Sequence, residues 1–244
     1  MEETKVKAIV VKSVDQKDKD KLVTLFSLEL GLINVIIKNC KSSAYKLKFA
    51  YSAFSFAEFE LLKNGELFFL KNATLIDNLF NICENYDKYV VGNFILELLL
   101  KTNKPQQANQ ILFLNALKAL NLLANADCNE KLVLVKFMLG TLKVNGFRLN
   151  FSKCNTCLMA YVNKIFLNLE IGEFECGSCR SNFSVFVEKE VFNLLKQINA
   201  LEITNLENLC VDEKIINDCI KLLSLNIENR FNVKINSKNY LGGL

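Results

Sequence analysis

Histidine is absent from this 244-residue sequence, which removes the usual general base, the usual activator of a serine or cysteine nucleophile, and the usual ligand of catalytic zinc. Neither a G-x-x-x-x-G-K-[ST] loop nor a G-x-G-x-x-G turn occurs, so nucleotide hydrolysis and dinucleotide chemistry lack their phosphate cradles. No acidic cluster stands out to suggest a carboxylate-based hydrolase. Long apolar runs are missing too: the longest, Val90 to Leu100, carries Asn93 and Glu97 and is too short and too polar to span a bilayer. Only one proline is present, and apolar residues make up 51% of the chain, a composition of folded protein and not of linker or tail. Met1 to Lys7 carries charge of both signs and leads into a β-like run, so no secretory signal is expected. Together the absences predict a soluble cytoplasmic protein that is not an enzyme and makes no membrane contact. In that compartment thiols stay reduced.

Nine cysteines are present, and four of them are patterned. Cys154-x-x-Cys157, 18 residues, then Cys176-x-x-Cys179 is a spacing in which each pair forms a knuckle and two knuckles close on one tetrahedral ion. Between them Ile165, Leu167 and Leu169 alternate with other residues, Gly172 offers a turn, and Phe174 returns, the layout of a zinc ribbon. One structural Zn2+ per chain is expected. Four thiolates leave no open coordination position, and no Glu stands two residues after a ligand as a zinc nucleobase deaminase requires. A module of about 30 residues has almost no apolar core of its own, so ligation should supply most of its folding free energy. Cys40, Cys83, Cys128, Cys210 and Cys219 are scattered and read as small buried hydrophobes.

Residues 1 to about 75 read as β-rich: Lys5 to Lys12, Leu22 to Ser27 and Leu32 to Lys38 are runs rich in branched residues. Ala57, Phe59 and Leu61 then alternate with Glu58 and Glu60, and Asn64-Gly65 predicts a type I′ hairpin leading into Glu66 to Lys71. Five short strands suggest an OB-type barrel, although an SH3-like barrel would read much the same. From residue 79 the apolar period becomes 3.6. Val90 or Val91, Phe94, Ile95, Leu98 and Leu99 share a face, as do Phe113, Ala116, Leu117, Leu120 and Ala124, then Leu132, Val135, Leu139 and Leu142. Pro105 lies between the first two stripes, where a helix could start. Val191, Leu194, Leu195 and Ile198, and then Ile216, Cys219, Ile220, Leu223 and Ile227, give two more. The fold expected is α+β: an N-terminal OB-type β-barrel over 1–78, then a helical bundle over 79–244 with the four-cysteine ribbon inserted at about 150–185.

The net charge is only +4, but between Lys38 and Lys48 there are four lysines and no acid. Lys38, Lys41, Lys46 and Lys48, with Tyr45, Phe49 and Tyr51 interleaved, combine charge to track phosphates with rings to stack bases. A solvated loop over core aromatics would give the same pattern. Lys5, Lys7, Lys12, Lys19 and Lys21 extend the positive surface, while Asp15, Asp18 and Asp20 beside them would repel phosphate.

Three stretches carry a family resemblance. Lys7-Ala8-Ile9-Val10-Val11, followed by Asp20-Lys21-Leu22-Val23-Thr24-Leu25-Phe26-Ser27 and Gly31-Leu32, opens the chain. Gly146-Phe147-Arg148-Leu149 runs into Cys154 and Cys157, and Arg230-Phe231 through Lys234 to Ser237 closes it. In that order they resemble the bacterial RecO recombination-mediator family along nearly the whole chain. Where the family often has Gly after its basic strand this chain has Lys38-Asn39, and where it often has Gly after the first cysteine pair this chain has Leu158. The resemblance implies a non-catalytic, nucleoid-associated DNA repair protein that binds single-stranded and double-stranded DNA and anneals single strands. It also implies contact with the acidic, Phe-ending tail of single-strand binding protein in an apolar cleft of the helical body. Joined to RecR, such a protein helps load the RecA recombinase. The closing segment, expected as a basic helix, would supply Arg230 and Lys234 as further DNA contacts. A zinc-ribbon adaptor of the ribosome or RNA polymerase, or a purely structural scaffold, would share the ribbon or the helices.

Overall fold

The computed structural model describes residues 2–16, 19–42, 44–161 and 164–242. The chain is mixed α+β, with strands first and helices after, in two compact units, residues 1–125 and 126–244.

In the first unit, β1 (Glu2–Gln16), β2 (Asp20–Ser27), β3 (Gly31–Ile37), β4 (Phe56–Asn64) and β5 (Leu67–Asp77) close into a barrel in the order β1-β2-β3-β5-β4. All neighbours are antiparallel except β3 and β5, which pair in parallel at Val35 with Phe68 and Ile36 with Phe69. The period-two pattern sends Val6, Ala8, Val10, Val23, Leu25, Ile33, Val35, Ala57, Phe59 and Leu61 into the barrel interior. The β4–β5 turn forms one residue later than expected. Its central pair is Gly65-Glu66, and of Asn64, Gly65 and Glu66 only Gly65 has positive φ, +62°. That is the requirement of a II′ turn and not of a I′ turn.

The barrel's outer face is apolar as well, and this explains where the next helices go. Ile9, Val11, Phe26 and Phe54 are buried although they lie outside the interior cluster. Helices α1 (Asn81–Glu84), α2 (Tyr86–Thr102) and α3 (Gln110–Asn125) belong to the same unit. Phe113 of α3 sits 5.9 Å from Phe26 and 6.1 Å from Phe56, ring to ring, and Tyr89 of α2 meets Phe54 edge-on at 6.1 Å. The expected boundary at residue 78 marks where the strands end, while the compact unit that holds the barrel runs on to Asn125. Pro105 does not start a helix. It bridges Leu32 of β3, Gln106 N–H donates to the Leu32 carbonyl at 2.9 Å, and α3 begins only at Gln110. Gly31 makes this approach possible, since a Cβ there would lie 2.0 Å from the Gln107 carbonyl oxygen.

The second unit is built on α4 (Glu130–Val144), α5 (Lys189–Ala200) and α6 (Glu213–Phe231). Asn129 caps α4 by accepting from the N–H groups of Lys131 and Leu132, and Asp212 caps α6 through Lys214. The ammonium of Lys136 on α4 donates to the carbonyls of Ile198 at 3.0 Å and Asn199 at 3.3 Å, satisfying the open end of α5. Between α4 and α5 runs a small sheet in the order β7-β6-β8, made of β6 (Ile165–Asn168), β7 (Glu173–Cys176) and β8 (Ser184–Val187). The β6–β7 hairpin was expected; β8 was not. Nor is the module coreless. Phe151, Phe174 and Phe192 lie within 5.0–5.5 Å of one another, and Tyr161 adds a fourth ring 5.2 Å from Phe192. Phe192 comes from α5, so the ribbon borrows its core from a helix. Of the scattered cysteines, Cys40 and Cys219 are buried as expected, whereas Cys83 and Cys210 are exposed and Cys128 is half-buried.

Candidate metal centre and nucleic-acid interface

The two cysteine pairs converge. Cys154 and Cys157 lie in the turn preceding β6, and Cys176 and Cys179 lie at the end of β7 and in the turn beyond it. All four sulfur atoms fall within 4.8 Å of one another, the only such group of ligand-type side chains among the described residues. Cys157 Sγ stands 3.8 Å from Cys176 Sγ, far beyond a disulfide bond. It matches the separation of about 3.8 Å that a tetrahedral ion with metal–sulfur bonds of about 2.3 Å would impose. The donor set and its spacing therefore fit a zinc-type ion.

Backbone geometry prepares the sulfurs for charge. Leu158 N–H closes the first turn on the Cys154 carbonyl at 3.0 Å, and Cys179 N–H closes the second on the Cys176 carbonyl at 3.0 Å. Burial pushes the Cys154 thiol up, but N–H groups of Cys157, Cys176 and Thr156 outweigh it and draw the thiol down to about 6. Cys179 is pushed up to about 12, chiefly by hydrogen bonds with Cys176 and Cys157 that hold its proton among the sulfurs. A cation that binds all four displaces that proton. Around the cluster, the buried Glu175 carboxylate accepts from Asn168 Nδ2 at 3.0 Å, Ser184 Oγ at 2.9 Å and Thr156 Oγ1 at 3.3 Å, tying the three strands together. The Tyr161 hydroxyl lies 2.7 Å from the Lys153 carbonyl oxygen, and burial, with the neighbouring thiolates, pushes its pKa up.

The basic stretch lies in the first unit, on the loop after β3. Lys38, Lys46 and Lys48 are exposed and form no ion pair among the described residues, with Lys38 Nζ 4.9 Å above the Phe69 ring. Tyr45 is half-buried against the barrel and stacks on Tyr51 at 6.1 Å, with an interplanar angle of 27°. Lys21 and Lys41 are brought to the same place but share a partner, the carboxylate of Asp15, at 2.7 Å and 3.1 Å. Both lysines hold the Asp15 carboxyl below its ordinary range, Lys21 more than Lys41. Lys21 also lies 5.2 Å over the Tyr51 ring. Sequence reading named Asp15 only as a repelling charge and missed its pairing and that of Phe69. The signal for the first was the hairpin register, which sets Asp15 opposite Lys21. Asp18 lies outside the described residues.

The closing segment departs from expectation. Helix α6 ends at Phe231, where Asn232 adopts a left-handed conformation at φ +51°, so Lys234 is exposed in the non-helical segment beyond. Arg230 turns inward. Its guanidinium donates to the Leu169 carbonyl at 3.3 Å and covers the Phe147 ring at 5.7 Å. It also packs so closely on the β6–β7 turn that a Cβ at Gly172 would lie 2.7 Å from its Cδ. It serves the ribbon's attachment to α6.

Comparison with known proteins agrees with this order of parts. The family model for the N terminus of recombination protein O matches residues 1–79, and that for its C terminus matches residues 83–239. The chain belongs to the RecO family of DNA repair proteins. A RecO relative from Clostridium novyi, named a DNA repair protein, is 26% identical over 230 residues, covering 94% of this chain and 90% of its own. One from Caldicellulosiruptor saccharolyticus is 26% identical, covering 90% and 89%, and one from Mycoplasma mycoides is 27% identical, covering 81% and 80%. Among the described residues no helix is long and apolar enough to cross a membrane.

Proposed function

We propose that this RecO family protein binds single-stranded and double-stranded DNA on its N-terminal barrel, anneals complementary single strands and, with RecR, helps load RecA onto DNA covered by single-strand binding protein. It acts in the cytoplasm on the nucleoid and by binding, without catalysis. One observation carries the reading. In a chain of a DNA repair family, a closed barrel ordered β1-β2-β3-β5-β4, read here as OB-type, exposes Lys38, Lys46 and Lys48 along the same stretch of chain that carries the stacked Tyr45 and Tyr51. Lysines that track phosphates and rings that stack bases are the means by which such barrels hold single strands without reading sequence. Family membership favours this reading over a ribosomal or polymerase adaptor.

The cation assigned to Cys154, Cys157, Cys176 and Cys179 is Zn2+, since a closed set of soft thiolates selects it over hard cations. Its role is to hold the two knuckles together. For the acidic tail of single-strand binding protein, the chemistry available is a groove lined by Met159, Ile165 and Phe186, with Lys164 and Lys189 in its wall beside the metal-site residues Cys157, Cys176 and Cys179. That groove lies on the ribbon and the start of α5, whereas the cleft was expected in the helical body.

The test is annealing of complementary oligonucleotides, bare and coated with single-strand binding protein, with binding measured across salt. Three lysine–phosphate contacts on a single strand predict a log-log slope of about −2. Replacing Lys38, Lys46 and Lys48 by Ala should flatten that slope and slow annealing of every sequence alike. Wild-type binding that is insensitive to salt, or a triple variant that anneals normally, would refute the barrel surface as the DNA site.

A further inference from the structure

The four sulfurs of the cysteine cluster are unequally placed. Cys154 is fully buried, and the N–H groups of Cys157, Cys176 and Thr156 point at its sulfur, that of Cys176 from 3.4 Å. Cys176 and Cys179 are half-buried, and Cys157 is exposed. Cys157, Cys176 and Cys179 line the groove that holds Met159 and Phe186, and Cys154 lies outside its wall. The turn that carries Cys157 is exposed from Asn155 to Ala160. Across the two knuckles the Cys157 sulfur faces Cys176 Sγ at 3.8 Å. A metal ligand is a thiolate by necessity, and oxidation of cysteine follows thiolate character and exposure. The cluster therefore offers an incoming oxidant one accessible sulfur with a second beside it, while the sulfur that the backbone shields is out of reach.

We infer that Cys157 is a modification site through which peroxide opens the cysteine module. The inference rests on the metal reading above. The Cys157 thiolate attacks one oxygen of hydrogen peroxide: a sulfur–oxygen bond forms, the oxygen–oxygen bond breaks and hydroxide leaves, giving the sulfenic acid. The Cys176 thiolate then attacks that sulfur, the sulfur–oxygen bond breaks, and a second hydroxide leaves as the disulfide closes. Each thiolate gives up one electron and the peroxide takes both. The two sulfurs must approach from 3.8 Å to about 2.05 Å, and the exposed turn is the part that moves. Cys154 and Cys179 are then the thiolates left, too few to close a tetrahedral site. Cys157 and Cys176 also line the groove, so oxidation alters that surface, whereas the barrel belongs to the other compact unit. Cys83 and Cys210 are exposed as well but stand outside the cluster.

The experiment treats the full-length, metal-loaded protein with about one equivalent of hydrogen peroxide per chain. A chromophoric chelator reads metal release, and differential alkylation with peptide mass analysis reads which cysteines oxidise. Release should keep pace with formation of a Cys157–Cys176 disulfide, and Cys157 should oxidise roughly tenfold faster than Cys154. Dithiothreitol with added Zn2+ should restore the loaded protein. A double variant, Cys83→Ser with Cys210→Ser, should release metal at the wild-type rate. Oxidation that falls first on Cys154 or Cys179, a disulfide joining another pair, metal retained after Cys157 is oxidised, or slow release from the double variant would each overturn the inference. Protein that carries no metal before treatment would refute the metal reading itself, and this inference with it.

Discussion

Asn39 and Leu158, where the family resemblance led one to expect glycine, take up backbone conformations that L side chains avoid. Asn39, after the basic strand, has φ +52°, and Leu158, after the first cysteine pair, has φ +62°. Each turn therefore places an L side chain in the left-handed region. Asparagine tolerates the left-handed region, but leucine does not, at a penalty of about 1–2 kcal/mol. Leu158 recovers little by packing, being 59% exposed. Leu158→Gly should therefore stabilise the cysteine module by about 0.5–1 kcal/mol, after allowing for the greater unfolded-state entropy of glycine. Asn39→Gly should stay within about 0.5 kcal/mol of wild type. Thermal unfolding of the metal-loaded protein decides the point, and a lower midpoint for Leu158→Gly would show that its side chain is held by contacts its exposure does not suggest.

At the scale of elements, what sequence revealed was what is encoded locally. Alternation marked the strands, the 3.6 period marked α2 to α6, and the cysteine spacing marked both knuckles, because each depends on neighbours a few residues apart. What stayed hidden depends on which surface meets which. The pattern of α2 announces apolar faces but not that the barrel's own outside, at Phe26 and Phe54, needs covering. Strand β8 is four residues long with a largely accessible pattern, too short for alternation to register. Arg230 read as a surface cation because nothing in its neighbours tells of Leu169, 61 residues away. The unit boundary gives this a measurable form. A fragment of residues 1–125 should unfold cooperatively, since it keeps Phe113 over Phe26 and Phe56. A fragment of residues 1–78 should lose cooperativity and bind a hydrophobic dye, because its outer apolar face is stripped. Equal cooperativity in both fragments would place the boundary at 78 after all.

At the scale of the whole molecule, the basic barrel surface and the cysteine cluster belong to different compact units, residues 1–125 and 126–244. Their failures should therefore be separable. Thiolate ligation of a metal should stabilise the turns that carry Cys154 and Cys176, while the ring contacts of Phe151, Phe174 and Phe192 do not depend on ligand atoms, so metal loss should loosen the module more than erase it. Cys176→Ser should lose the metal and become open to protease between Arg148 and Glu188. Residues 1–125 should stay protected, and oligothymidylate binding should keep its affinity and its slope of about −2. Conversely, the Lys38, Lys46 and Lys48 triple variant should bind one metal per chain and resist the protease while its slope flattens. Metal analysis, limited proteolysis and salt-dependent anisotropy on the two variants read all four quantities. If Cys176→Ser weakens DNA binding in proportion to its loss of metal, the cysteine module takes part in holding the strand, and the barrel surface alone does not account for it.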